Sequence, residues 1–205
     1  KLKSNYTNSR RRYAMALWGT SDADEAKPKY LTDAQKKQVY ATSAGWVAEP
    51  GLSGNGNASA QPEVLVAIGA QAVGIGAADI TEIEFITTAI AAATAAPLSV
   101  RVRFNEAVDV VTTGGTPQLT VTNDSAGTST SVNIVLPYAS GTGTNELVFT
   151  HTWSSGELLA TDVVSIGTNA TALNSGTIKD AGTSTVSTIT NSSAIGTAAG
   201  TITVS

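Results

Sequence analysis

Val100-Arg101-Val102-Arg103-Phe104-Asn105-Glu106-Ala107-Val108 is the stretch that decides the architecture. Val100, Val102 and Phe104 alternate with Arg101 and Arg103. Successive side chains of an extended chain point to opposite faces, so one face here is apolar and the other charged, the pattern of a half-buried strand. The same period runs outward in both directions. Upstream, Val64, Val66 and Ile68 alternate, and Ile80, Glu82, Glu84 and Ile86 oppose Thr81, Ile83 and Phe85. Downstream, strands are expected at Gln118–Thr122, Ser131–Leu136, Glu146–Thr152, Val163–Ile166, Thr185–Ile189 and Thr201–Val204. Turn-forming clusters separate them: Thr113-Gly114-Gly115, Asn123-Asp124-Ser125, Ser140-Gly141-Thr142-Gly143, Asn174-Ser175-Gly176 and Asp180-Ala181-Gly182. Short strands punctuated this regularly predict a mainly β fold, a β-sandwich. Ala89–Ala96 is alanine-rich, but its threonines and Pro97 favour a loop. No fixed internal repeat marks a solenoid or propeller.

The chain has 205 residues, enough for one large domain or a domain with an extension. Hydrophobic residues make up 41%, much of it alanine, and aromatics only 5%, which implies a thin aliphatic core. Cysteine is absent, excluding disulfides and thiolate metal sites. The longest apolar candidate, Ile90 to Leu98, falls short of the roughly 18 residues of a membrane span. The N-terminal residues lack an apolar signal-peptide core, so neither membrane insertion nor ordinary secretion is expected.

Charge is divided unevenly. The first forty residues hold nine bases and four acids, a formal +5, and the remainder three bases and twelve acids, a formal −9. Such asymmetry suggests a docking end and a solvent-facing body. Residues 1–20 read as a polar arm around Arg10-Arg11-Arg12, extended until it meets a partner. That run could meet nucleic acid, a carboxylate-lined groove or solvent alone. Tyr6 and Tyr13 would allow base stacking, but the acidic remainder would repel a phosphate backbone, so no nucleic acid is expected. A helix is predicted over 31–41: Thr32-Asp33-Ala34-Gln35 fits a capping box, and Asp33 stands four residues before Lys37. Pro50 to Gln61 is the clearest linker. The expected organisation is an arm and anchoring module over 1–50, a linker over 51–62, and a sandwich domain over 63–205.

Little in the sequence points to chemistry. His151 is the single histidine, and no G-x-S-x-G elbow accompanies it, so a backbone-bonded structural role is favoured over a hydrolytic triad. Glu82 and Glu84 share a strand face with side chains about 7 Å apart. Paired carboxylates of that kind suit glycoside hydrolysis, but a solvated acidic strand is the simpler reading. Asn105, Glu106, Asp124, Asn145 and Asp180 could supply oxygen ligands for calcium, although no segment has EF-hand spacing. Gly54-Asn55-Gly56 and Gly74-Ile75-Gly76 are too short for a phosphate-binding loop. Asn-x-Ser/Thr tripeptides such as those at Asn5, Asn57, Asn169 and Asn191 are expected by chance in so Ser/Thr-rich a chain. No cofactor is expected.

Two resemblances add to this. Val100 to Val108, then Gly115-Thr116-Pro117-Gln118-Leu119-Thr120-Val121, resembles bacterial immunoglobulin-like repeats. Tyr138-Ala139-Ser140-Gly141-Thr142-Gly143-Thr144-Asn145-Glu146-Leu147-Val148-Phe149 and Leu173-Asn174-Ser175-Gly176-Thr177-Ile178-Lys179-Asp180-Ala181-Gly182 continue the match. Asn105 stands where those repeats usually carry Ser or Thr, and the last block lacks their common A-G-N ending. The resemblance implies an immunoglobulin-like sandwich used for display or adhesion, without catalytic residues. The front part, from Ala16-Leu17-Trp18-Gly19-Thr20 through Lys27-Pro28-Lys29-Tyr30-Leu31-Thr32 to Ala44-Gly45-Trp46-Val47, resembles the opening of virion structural proteins in tailed phages of marine bacteria. Module, linker and immunoglobulin-like body in that order resemble capsid decoration proteins.

The expected function is accordingly a non-enzymatic virion protein on the outer surface of the capsid. Its partner would be the major capsid protein, and neighbouring copies of itself are a second candidate partner. Arg10, Arg11, Arg12, Trp18, Lys27, Lys29 and Trp46 are the expected capsid contacts, with Tyr30 as a further aromatic anchor. The alternative is an adhesin or tail-associated module that binds host-surface glycans. A glycosidase or peptidase is the third and weakest reading.

Overall fold

The computed structural model describes residues 27–28, 30–50, 59–69, 76–124, 133–154, 156–181, 183 and 185–205. The fold is mainly β. A short helix, α1 (Asp33–Lys36), precedes a hairpin of β1 (Val39–Thr42) and β2 (Gly45–Ala48), and β3 (Glu63–Ala67) pairs with β2. The body follows: β4 (Ile80–Phe85), β5 (Pro97–Val111), β6 (Gln118–Asp124), β7 (Ile134–Ser140), β8 (Thr144–Thr152), β9 (Val163–Ala172) and β10 (Thr177–Asp180). A second short helix, α2 (Ser193–Ala198), leads into β11 (Thr201–Thr203).

β5 is the spine. Its first half pairs antiparallel with β4 and β8, and its last four residues with β10. β6, β7, β9 and β11 form the opposing part, in the order β11-β9-β6-β7. β7 belongs to both: Ile134 to Pro137 pair with β6, then Tyr138 and Ser140 pair with β8. The sheet thereby turns over on itself in a sandwich-like arrangement. The alternation read from Val100 to Phe104 is realised, with Val100, Val102 and Phe104 in the core. They pack with Leu147 and Phe149 of β8, Leu119 and Val121 of β6, and Leu136 of β7.

Several segments differ from the sequence reading. The capping box forms: Thr32 Oγ1 accepts from the Gln35 N–H at 3.3 Å, and Gln35 Oε1 accepts from the Thr32 N–H at 3.0 Å. The helix nevertheless stops after Lys36, because Val39, Tyr40 and Thr42 favour an extended chain that a hairpin at Gly45 can pair. Asp33 consequently meets Lys36 rather than Lys37. β4 does not alternate simply. A register shift between Ile80 and Glu82 turns Ile80 inward with Ile83 and Phe85, leaving Glu82 and Glu84 outside. Thr185–Ile189 makes only single bridges, Val186 to Lys179 and Thr188 to Asp79.

Two cores result. The larger draws only on residues from Ala78 onward. The smaller holds Leu31, Val39, Ala41, Trp46 and Ala48, with Leu65, Val66 and Ile68 packed against it. β3, expected at the head of the sandwich domain that starts at 63, therefore shares its sheet and core with the N-terminal module, across the segment read as a linker.

Candidate functional site

The module meets the body where the β5–β8 ladder is interrupted. Pairing of β5 with β8 breaks between Arg103 and Val108, and within that gap Ala41 of β1 bridges Glu106 in parallel. Around this seam the outward faces of three body strands converge with the end of the hairpin. Glu82 of β4, Arg103 of β5 and Glu146 of β8 are register partners across the sheet, so their side chains stand in a row.

Arg103 occupies the centre. Its Nε donates to Glu146 Oε1 at 2.6 Å and its Nη1 to Glu82 Oε2 at 2.6 Å. Glu49, which follows β2, approaches Arg103 Nε at 3.9 Å and accepts from Asn145 Nδ2 at 2.9 Å. Lys37 Nζ donates to Glu82 Oε1 at 2.6 Å, and Arg101 Nε lies 3.4 Å from Glu146 Oε2. The seam is thus a charge network that joins module to body, with Lys37 and Glu49 from one side and Glu82, Arg101, Arg103 and Glu146 from the other.

Burial shapes the electrostatics. Desolvation would raise the Glu82 carboxyl, but hydrogen bonds from Lys37 and Arg103 outweigh it and hold the group below its ordinary value. Desolvation raises Glu49, and neighbouring Glu146 adds to that, against the opposing hydrogen bond from Asn145. Tyr40 is raised as well, by burial and then by the fields of Glu49 and Glu146, so its phenol stays protonated. Burial works against the charged guanidinium of Arg103, yet its bonds to Glu146 and Glu82 raise it further above its ordinary range.

A cleft of about 590 Å³ opens at this seam. Tyr40 and Glu49 from the module, Arg101 and Arg103 from β5, and Asn145 and Glu146 from β8 form its walls.

The residues expected to contact a capsid fall in different places. Arg10, Arg11, Arg12, Trp18 and Lys29 lie outside the described residues. Trp46 is 0% exposed and forms the centre of the small core, so as folded its ring supports the hairpin from within. Lys27 is 5% exposed, and its Nζ donates to the carbonyl of Lys36 at 2.8 Å. Tyr30, by contrast, is 69% exposed.

The candidate chemical residues are engaged structurally. His151 Nε2 lies 2.8 Å from Glu157 Oε1, while Glu157 Oε2 accepts from the Ser154 N–H, so the pair staples the turn after β8. Glu82 and Glu84 are partners of cations rather than of each other. Asn105 Oδ1 accepts from the Asp79 N–H at 2.7 Å, and Asp180 Oδ1 from the Ala78 N–H at 2.8 Å, fixing the entry to β4. Among the described residues no group of three or more His, Cys, Asp or Glu could hold a metal ion. Among them, too, no helix is long and apolar enough to cross a membrane.

No family model, curated protein or solved structure matches the chain.

The sequence reading missed the seam. Its signal was present as complementary charge on outward faces: Glu82 and Glu84, Arg101 and Arg103, then Glu146. Three strands of opposite sign invite pairing on one surface.

Proposed function

We propose that the chain is a non-enzymatic structural protein of a virion. The segment preceding α1 binds the major capsid protein, and the sandwich, an immunoglobulin-like body, projects from the capsid surface. The observation that carries this reading is where the positive charge is left. Only three bases follow residue 40: Arg101, Arg103 and Lys179. Two of these are spent inside the seam. Lys27 and Lys36 are likewise used within the module, and Lys37 in the seam. Apart from Lys179 on β10, the bases left for cationic recognition of a partner are Lys1, Lys3, Arg10, Arg11, Arg12 and Lys29, at one end of an otherwise acidic sequence. Tyr30, exposed beside Lys29, supplies an aromatic anchor of the kind interfaces favour.

The seam supports the same reading mechanically. Paired strands and partly exposed ion pairs join the module to the sandwich, so a body gripped at its basic end is carried as a unit. Lys27 and Trp46 serve this joint from inside the module, and the capsid contacts proposed are Arg10, Arg11, Arg12, Trp18, Lys29 and Tyr30.

The test is sedimentation of the protein with shells of purified major capsid protein. Removal of residues 1–20 should abolish co-sedimentation while the body stays folded, and added salt should weaken binding of the full chain. Undiminished occupancy by the shortened chain would refute the assignment.

A further inference from the structure

We propose that the cleft at the seam is a binding site for a neutral polyhydroxy ligand, a small saccharide. Its volume, about 590 Å³, falls within the roughly 300–1,000 Å³ typical of small-molecule sites. The walls carry two guanidinium groups and two carboxylates, Arg101, Arg103, Glu49 and Glu146, whose formal charges cancel. A free anion would face Glu49 and Glu146, and a free cation would face both arginines. The Arg103 charge is already committed, to Glu146 through Nε and to Glu82 through Nη1. The site therefore exerts little net pull on an ion but offers donors and acceptors side by side.

Sugar hydroxyls match such a surface because each both donates and accepts. Carboxylate oxygens take the hydroxyl protons, and guanidinium and amide N–H groups meet the oxygen lone pairs. The Tyr40 phenol, kept protonated at the wall, is a further donor. The rings of Pro50 and Pro62, also at the cleft, give an apolar surface for the C–H face of a pyranose. Mutual ion pairs hold the polar groups in place before any ligand arrives, which lowers the entropic cost of binding.

This inference does not rest on the virion reading: loss of capsid binding leaves it standing, and the reverse also holds. It is tested on the ¹⁵N-labelled full chain by NMR. The probes are glucose, galactose, mannose, N-acetylglucosamine and their common disaccharides, with sialic acid, a sugar phosphate and spermidine as charged comparators. At least one neutral sugar should shift the Arg101 Nε–H and the Tyr40 and Asn145 backbone signals saturably. Arg101→Gln should weaken that sugar about tenfold or more, since a charged donor is lost. Gln38→Ala, at the edge of the cleft and outside the ion pairs, should weaken it with the spectrum of the body unchanged. Silence of the cleft signals toward every neutral sugar would overturn the proposal. So would tighter binding of a charged comparator, or unaltered affinity in both variants.

Discussion

The backbone N–H of Ala78 donates to Asp180 Oδ1 at 2.8 Å, across 102 residues of sequence. Asp180 is buried at the end of β10, and it also receives the hydroxyls of Thr183 and Ser187. One carboxylate thus ties the start of β4 to the last strand laid along β5. Asp180→Ala should cost about 1.5–3 kcal/mol, the usual range for a lost hydrogen bond to a charged group. Asp180→Asn retains the accepting oxygen and should cost less. Urea denaturation of both variants checks the order, and equal stabilities would show that the backbone tie contributes nothing.

Glu82 and Glu49 sit in one network but should respond to pH in opposite directions. Glu82 is held below its ordinary value, so its contribution to stability is present above that value and lost as pH falls through the lower folded one. Glu49 is raised, so its contribution is complete below its ordinary value and lost as pH rises through the higher folded one. At neutral pH, Glu82→Gln should therefore destabilise, by about 1–3 kcal/mol, whereas Glu49→Gln should leave stability equal or higher. Thermal melts across the range from pH 4 to 8, about the span where carboxylates and their raised forms titrate, would separate the two. A loss at neutral pH in Glu49→Gln as large as that in Glu82→Gln contradicts the assignment.

The hairpin depends on shape at two neighbouring positions. Gly45 has φ 131°, and a Cβ there would run into the carbonyl oxygen of Val66 on β3, so Gly45→Ala should disrupt the β2–β3 pairing. Trp46→Ala should cost about 3–5 kcal/mol of module stability. Trp46→Phe should be much milder, because the indole Nε1 has no hydrogen-bond partner among the described residues. Hydrogen exchange of β1 and β2 amides reads these losses locally. Equal protection in Trp46→Ala and in the parent would disprove the role given to the ring.

A fragment beginning at residue 76 retains every residue of the larger core and should fold alone. A fragment of residues 27–69 has only the small core of a three-stranded sheet and should not. Amide dispersion in NMR spectra of the two fragments decides this. A well-dispersed spectrum from the short fragment would mean that the seam is not what stabilises the module.

Much of the body was legible because period two survives wherever one sheet face is buried. Val100, Val102 and Phe104 declared β5, and Leu147 and Phe149 declared β8. Local exceptions were hidden. The bulge that turns Ile80 inward depends on pairing with Phe104, and no property of β4 alone announces it. β10 is only four residues long and sits between two turn clusters, the second of which begins at its last residue, Asp180. α2, over Ser193–Ala198, contains Gly196, which packs so closely on β9 that a side chain would meet the Ile166 carbonyl. The candidate site was least visible of all. Glu49, Glu82, Arg103 and Glu146 come together only through the register of separate strands, a long-range property that no local window contains.

The hydrogen bond from Asn145 to Glu49 spans 96 residues. A ribosome builds from the amino end, so the nascent hairpin emerges first and waits while the strands that will receive it are translated. Arg103 arrives before Glu146, and the guanidinium has its full set of carboxylates only after both. The earliest-made strands can therefore be seated only once β5 and β8 exist to receive them. Long-range closure of this kind slows folding, and here the delay falls on the joint between the two cores.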